Sequence, residues 1–81
     1  MKIPRSYIRE MEEMYNVGKG LEIAQSRFSE GKLSENEYLL KLKNAEIELA
    51  RIVPKYSEFK DWKRKLKLQI QEEFKKLRKK Q

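Results

Sequence analysis

The chain should fold as an all-α protein: a three-helix bundle with a tight helical hairpin at residues 31–34 and a long basic C-terminal helix. Three observations predict this. Helix-forming residues fill the chain, only two prolines interrupt it, and nothing reads as a strand. Apolar residues recur at helical spacing in three segments. Two turn signals, one around Gly31 and one at Pro54, separate those segments. At 81 residues the chain makes one small domain with a modest core.

The first segment carries two apolar stripes. Tyr7, Ile8, Met11, Met14 and Tyr15 form one; Val17, Leu21, Ala24 and Phe28 form another, rotated by roughly a quarter turn or more at about 100° per residue. Gly18 and Gly20 lie at the change, and each costs about 1 kcal/mol inside a helix relative to Ala. Either the helix breaks there or one long helix bends and lets another backbone approach at Gly18. A single helix over residues 5–30 is the expectation, because its length then matches the other two.

The strongest local signal is residues 29–38, SEGKLSENEY. Gly31 suits the left-handed position just past a helix end. Ser34 and Glu37 stand in S-x-x-E spacing, so each side chain can satisfy the other's amide, while Leu33 and Tyr38 are placed as a hydrophobic staple. The turn resembles the short C-terminal helical hairpin family in Gly31, Leu33, Ser34, Glu37 and Tyr38. That resemblance covers about fifteen residues, rests on general capping chemistry and brings no function with it.

The second helix should run from Ser34 to about Val53, with Tyr38, Leu42, Ala45, Leu49 and Val53 on one face. Pro54 disfavours the α region at Val53 and ends it. Ser57 is placed to cap the third helix, with Glu58 and Asp61 in its first turn, where the helix dipole favours acids. Phe59, Trp62, Leu66, Ile70, Phe74 and Leu77 make its apolar stripe. Beyond about Leu77 the last turns should fray. Trp62, Phe59 and Phe74 could stack on bases, but their spacing assigns them to the core; Tyr7, Tyr15 and Tyr38 lie on inward stripes too.

All of the net charge lies in the last third. Residues 1–54 carry nine Lys/Arg and nine Glu, whereas residues 55–81 carry eleven Lys/Arg against four acids and hold the whole +7. A neutral body followed by a basic helix implies that one part folds and the other meets something negative. On the third helix Lys60, Lys63, Arg64, Lys67, Lys75 and Arg78 fall on one flank of the apolar stripe, and Glu58, Asp61 and Glu72 on the other. Lys60 to Arg78 spans about 27 Å at 1.5 Å per residue. A positive ridge of that length can follow a nucleic-acid backbone. The same ridge would serve as a solvated face complementing the dipole, or meet an acidic protein surface. It could also lie on an anionic membrane, although its apolar stripe is needed to close the core.

Leu40 and Ile47, seven residues apart, share a face opposite Leu42 and Leu49, and Leu68 lies beyond the basic ridge. They form either a docking strip for a larger protein or a homo-oligomer, or contacts of a central helix that packs on both sides. Catalysis is not expected. The chain has no histidine and no cysteine, which removes the commonest general base, the commonest metal ligand and any disulfide. Its one aspartate, Asp61, has no second carboxylate next to it. No cofactor is implied. No apolar run approaches the roughly 18 residues of a membrane span, and the opening MKIPRSYIRE does not read as a signal peptide. A Lys/Glu-rich, cysteine-free composition fits a cytoplasmic protein of a hyperthermophile, an archaeon above all. The function expected is that of a non-enzymatic accessory subunit in a DNA- or RNA-handling machine of polymerase or replication type. The alternative is a pure protein–protein adaptor or homo-oligomer; a third class is a free-standing nucleic-acid binder.

Overall fold

The computed structural model describes residues 2–79. It contains three helices, α1 (Arg5–Ser29), α2 (Glu35–Arg51) and α3 (Ser57–Lys79), each packed on both others in a body of 51 × 20 × 16 Å. The described residues include no strand. Tyr7 and Tyr56 meet at one end and Phe28 and Tyr38 at the other, so α2 runs antiparallel to α1 and α3. The expected three-helix bundle is the observed architecture.

The hairpin between α1 and α2 forms through its own sequence. Lys32 N–H donates to the Arg27 carbonyl at 2.8 Å and Gly31 N–H to the Phe28 carbonyl at 3.0 Å, the paired bonds of a Schellman motif. Gly31 adopts φ 78°, which a side chain would strain. Two residues on, Glu37 N–H donates to Ser34 Oγ at 3.1 Å and Ser34 N–H to Glu37 Oε1 at 2.9 Å. The Ser34 backbone N–H, and after it the Ser34 hydroxyl, holds the Glu37 carboxyl below its usual range. Phe28 then stacks on Tyr38 at 4.3 Å.

α1 is continuous through both inner glycines. No backbone approaches Gly18; a Cβ there would meet only Leu66 Cδ2, at an ordinary 3.8 Å. The core stripe of α1 is also continuous, running Glu10, Met14, Val17, Leu21, Ala24. Ile8, Met11 and Tyr15, expected inside, are exposed. The register differs because Glu10 is buried: its Oε1 accepts the Lys55 N–H at 2.8 Å across 45 residues of chain. A carboxylate with an amide partner can occupy a position that periodicity reserves for an apolar residue.

α2 ends at Arg51, two residues before the expected Val53. Ile52 is extended, with ψ 119°, and this exchanges the two side chains: Ile52 is 8 % exposed and Val53 81 %. Pro54 is buried. α3 starts one residue earlier than a Ser57 cap implies. Its first bonds run from Phe59 N–H and Lys60 N–H to the Tyr56 carbonyl, so Ser57 is already helical. α3 buries Phe59, Leu66, Ile70 and Leu77, with Trp62 and Phe74 half-buried against the same core. It continues to Lys79; the expected fraying also concerned residues 80–81, which lie outside the described residues.

Candidate nucleic-acid interface and docking surfaces

The orientation of α3 follows from its apolar stripe. Burying Phe59, Leu66, Ile70 and Leu77 leaves the opposite side and both flanks to solvent. Lys60, Arg64, Lys67, Lys75 and Arg78 are all exposed and lie within roughly 80° of one another at about 100° per residue. The expected ridge is therefore present in five of its six members.

Lys63 departs from it. Its Nζ donates to the Ile52 carbonyl at 2.6 Å and it is partly buried. Ile52 is the C-cap of α2, where a cation meets both an unpaired carbonyl and the negative end of the dipole. Lys63 closes the α2–α3 corner and is not a free cation. With Lys67, Glu46 and Ala50 it lines a shallow cleft between the two helices.

The ridge is less cleanly sorted by sign than the wheel implies. Arg64 pairs with Asp61 at 2.7 Å and Lys75 reaches Glu72 at 4.0 Å. Both pairs are well exposed, and contacts of that kind contribute little; either cation can exchange its partner for a phosphate. On the opposite flank Lys76 pairs with Glu73 at 3.1 Å, whose Oε1 accepts the Tyr38 hydroxyl at 2.6 Å. Burial alone would raise the Glu73 carboxyl, but the Tyr38 hydroxyl and the Lys76 ammonium outweigh it and hold the carboxyl below its usual range. Burial, then Glu73, pushes the Tyr38 phenol well above its usual range.

None of the aromatic rings joins the ridge. Phe59 packs between Tyr7, at 4.8 Å, and Trp62, at 6.3 Å. Tyr7 is raised first by its bond to the Glu58 carboxylate. The Tyr56 hydroxyl bonds Ser6 Oγ at 2.9 Å. These rings close the linker end of the bundle, and Phe74 packs on the core near the other end.

Leu40, Ile47 and Leu68 are exposed at 62 %, 44 % and 56 %. α2 does not bury its outer side, so the central-helix explanation for Leu40 and Ile47 fails. Leu68 stands on the far edge of the basic ridge, beyond Arg64 and Lys75 on the wheel. A second exposed apolar strip is one that the spacing had assigned inward: Ile8, Met11 and Tyr15 on α1, continued by half-buried Trp62 across a shallow groove that also takes in Gly18, Lys19 and Glu22. The signal was available. Once Met14, Val17, Leu21 and Ala24 are read as one stripe, Met11, Tyr15 and Ile8 fall roughly 100–160° from its centre at about 100° per residue.

Among the described residues no group of acidic side chains could hold a metal ion, and no helix is long and apolar enough to cross a membrane. The chain is a three-helix bundle with one cationic helix flank and two exposed apolar strips. It matches no protein-family model, and neither a curated protein nor a solved structure is similar enough to count as a match.

Proposed function

We propose that this chain is a non-enzymatic accessory subunit: it docks on a larger protein of a DNA- or RNA-handling machine, of polymerase or replication type, and adds a basic face for phosphate contacts. The observation that supports this most is the row of five exposed cations, Lys60, Arg64, Lys67, Lys75 and Arg78, along one flank of α3. Leu40, Ile47 and Leu68 serve as the apolar contacts to the larger partner. The Lys/Glu-rich, cysteine-free composition supports a cytoplasmic protein from a thermophilic archaeon. The competing reading, a pure adaptor or homo-oligomer, draws support from the exposed Ile8, Met11 and Tyr15 strip.

Charge reversal separates the two. Lys60→Glu, Arg64→Glu and Lys67→Glu together, with Lys63 kept to cap α2, should leave the thermal midpoint nearly unchanged, because isolated surface charges contribute little. The same triple variant should lose at least about tenfold in nucleic-acid affinity at moderate salt and show a shallower salt dependence. Altering the base sequence of the probe should matter little, since phosphates carry no sequence information. Unaltered binding by the variant would reject the phosphate role and leave the adaptor.

A further inference from the structure

The ridge is not uniform, and its gap carries information. Lys60, Arg64 and Lys67 form one cluster; Lys75 and Arg78 form a second. Between Lys67 and Lys75 the ridge presents no cation: the neutral and exposed Gln71 lies on its line and exposed Leu68 at its far edge. Eight residues of helix separate those two lysines, or about 12 Å at 1.5 Å per residue. The major groove of B-DNA is about 12 Å wide and the minor groove about 6 Å. A second observation bears on the strand state of the ligand. Binders of single strands combine a cationic track with aromatic rings on which bases stack. Here Phe59 is buried, Trp62 turns to the α1 side beside Tyr15, and Phe74 packs on the core. The ridge offers cations without a stacking platform.

We infer that the ligand of this ridge is duplex DNA, with α3 lying across the mouth of the major groove. Lys60, Arg64 and Lys67 then meet phosphates of one strand, Lys75 and Arg78 those of the other, and Gln71 stands over the groove. The inference rests on the nucleic-acid reading above and narrows it. A-form RNA offers a major groove too deep and narrow for this placement. Asp61 and Glu72 lose their partners when Arg64 and Lys75 turn to phosphates, but both carboxylates are exposed, so water and salt screen their repulsion.

The test uses the full chain at about 50 mM salt, where phosphate contacts are strongest. Three fluorescent probes of equal length are titrated: a DNA duplex of about 20 base pairs, one of its strands alone, and the RNA duplex of the same sequence. The DNA duplex should bind at least about tenfold tighter than either other probe, with a log–log salt slope near −4.5, or about −0.9 for each of five contacts. Gln71→Lys sharpens the geometry. A lysine placed over the groove should leave the slope unchanged, whereas on a ridge that tracks a single backbone it should steepen it by about 0.9. Equal or tighter binding of the single strand, equal binding of the RNA duplex, or the steeper slope each overturns the groove-spanning mode while leaving a phosphate-binding ridge in place. No binding of any probe overturns the nucleic-acid role itself.

Discussion

The two ends of the bundle are held by different kinds of interaction. At the hairpin end the bonds that make the turn are local, Lys32 to Arg27, Gly31 to Phe28, and the reciprocal pair of Ser34 and Glu37, and one distant bond, from the Tyr38 hydroxyl to Glu73, ties that end to α3. At the linker end the bonds are not local. Lys55 is held by Glu10 from 45 residues away, Tyr56 by Ser6 from 50, and Ile52 by Lys63 from 11. The hairpin turn is specified by residues within it, whereas the Pro54 corner takes its partners from α1 and α3. Local turns of the first kind tolerate the loss of one contact; a buried corner leaves an unpaired polar group when one partner goes.

That contrast sets the order of expected effects. Glu10→Ala should be the most damaging single change. It strips the partner from the Lys55 N–H and empties a buried position, at about 2 kcal/mol. For a domain this size the thermal midpoint should fall by about 8–16 °C, and amide exchange should accelerate at Lys55. Glu10→Gln keeps an acceptor oxygen and should recover part of the loss. An Ala variant as stable as the parent would mean that the corner does not depend on Glu10.

Ser34→Ala tests the local end and should cost less, about 1 kcal/mol, the usual loss for an N-cap. Its effect should be confined to the first turn of α2, read as faster exchange at the Glu37 amide. A loss as large as that of Glu10→Ala, or one that spreads to Lys55, would erase the distinction between the ends.

The smallest effects concern glycines. Gly20→Ala adds a Cβ into open space within a helix and should stabilise by about 0.5–1 kcal/mol. Gly31→Ala also meets no neighbour, but φ 78° puts an L side chain in the left-handed region, so the same substitution should destabilise by about 1 kcal/mol. Paired thermal melts give the comparison; equal signs would show that the turn conformation is not what selects Gly31.

Residue by residue, legibility tracks the range of the interaction. The capping box, the glycine turn and the apolar stripe of α3 were readable because each is set by neighbours three or four positions away. The exposed ridge was readable for the same reason, apart from Lys63, which bonds a carbonyl on another helix. The inward placement expected for Ile8, Met11 and Tyr15 failed because periodicity counts apolar residues and cannot anticipate a buried Glu10. Val53 was placed inside by extending the stripe of α2 two residues past the helix, where the extended backbone at Ile52 reverses the facing.

By itself, then, the sequence determined three helices, their turns, the helix that carries the charge, and the flank of that helix left to water, because helix formation and capping are near-neighbour chemistry. Only the tertiary structure decided the register of α1 in the core and the Glu10–Lys55 and Lys63–Ile52 bonds that shape the corner. Those features depend on which helix faces surround a side chain once water is excluded. A buried carboxylate or a capped carbonyl is stable only when the partner arriving from elsewhere in the chain satisfies it.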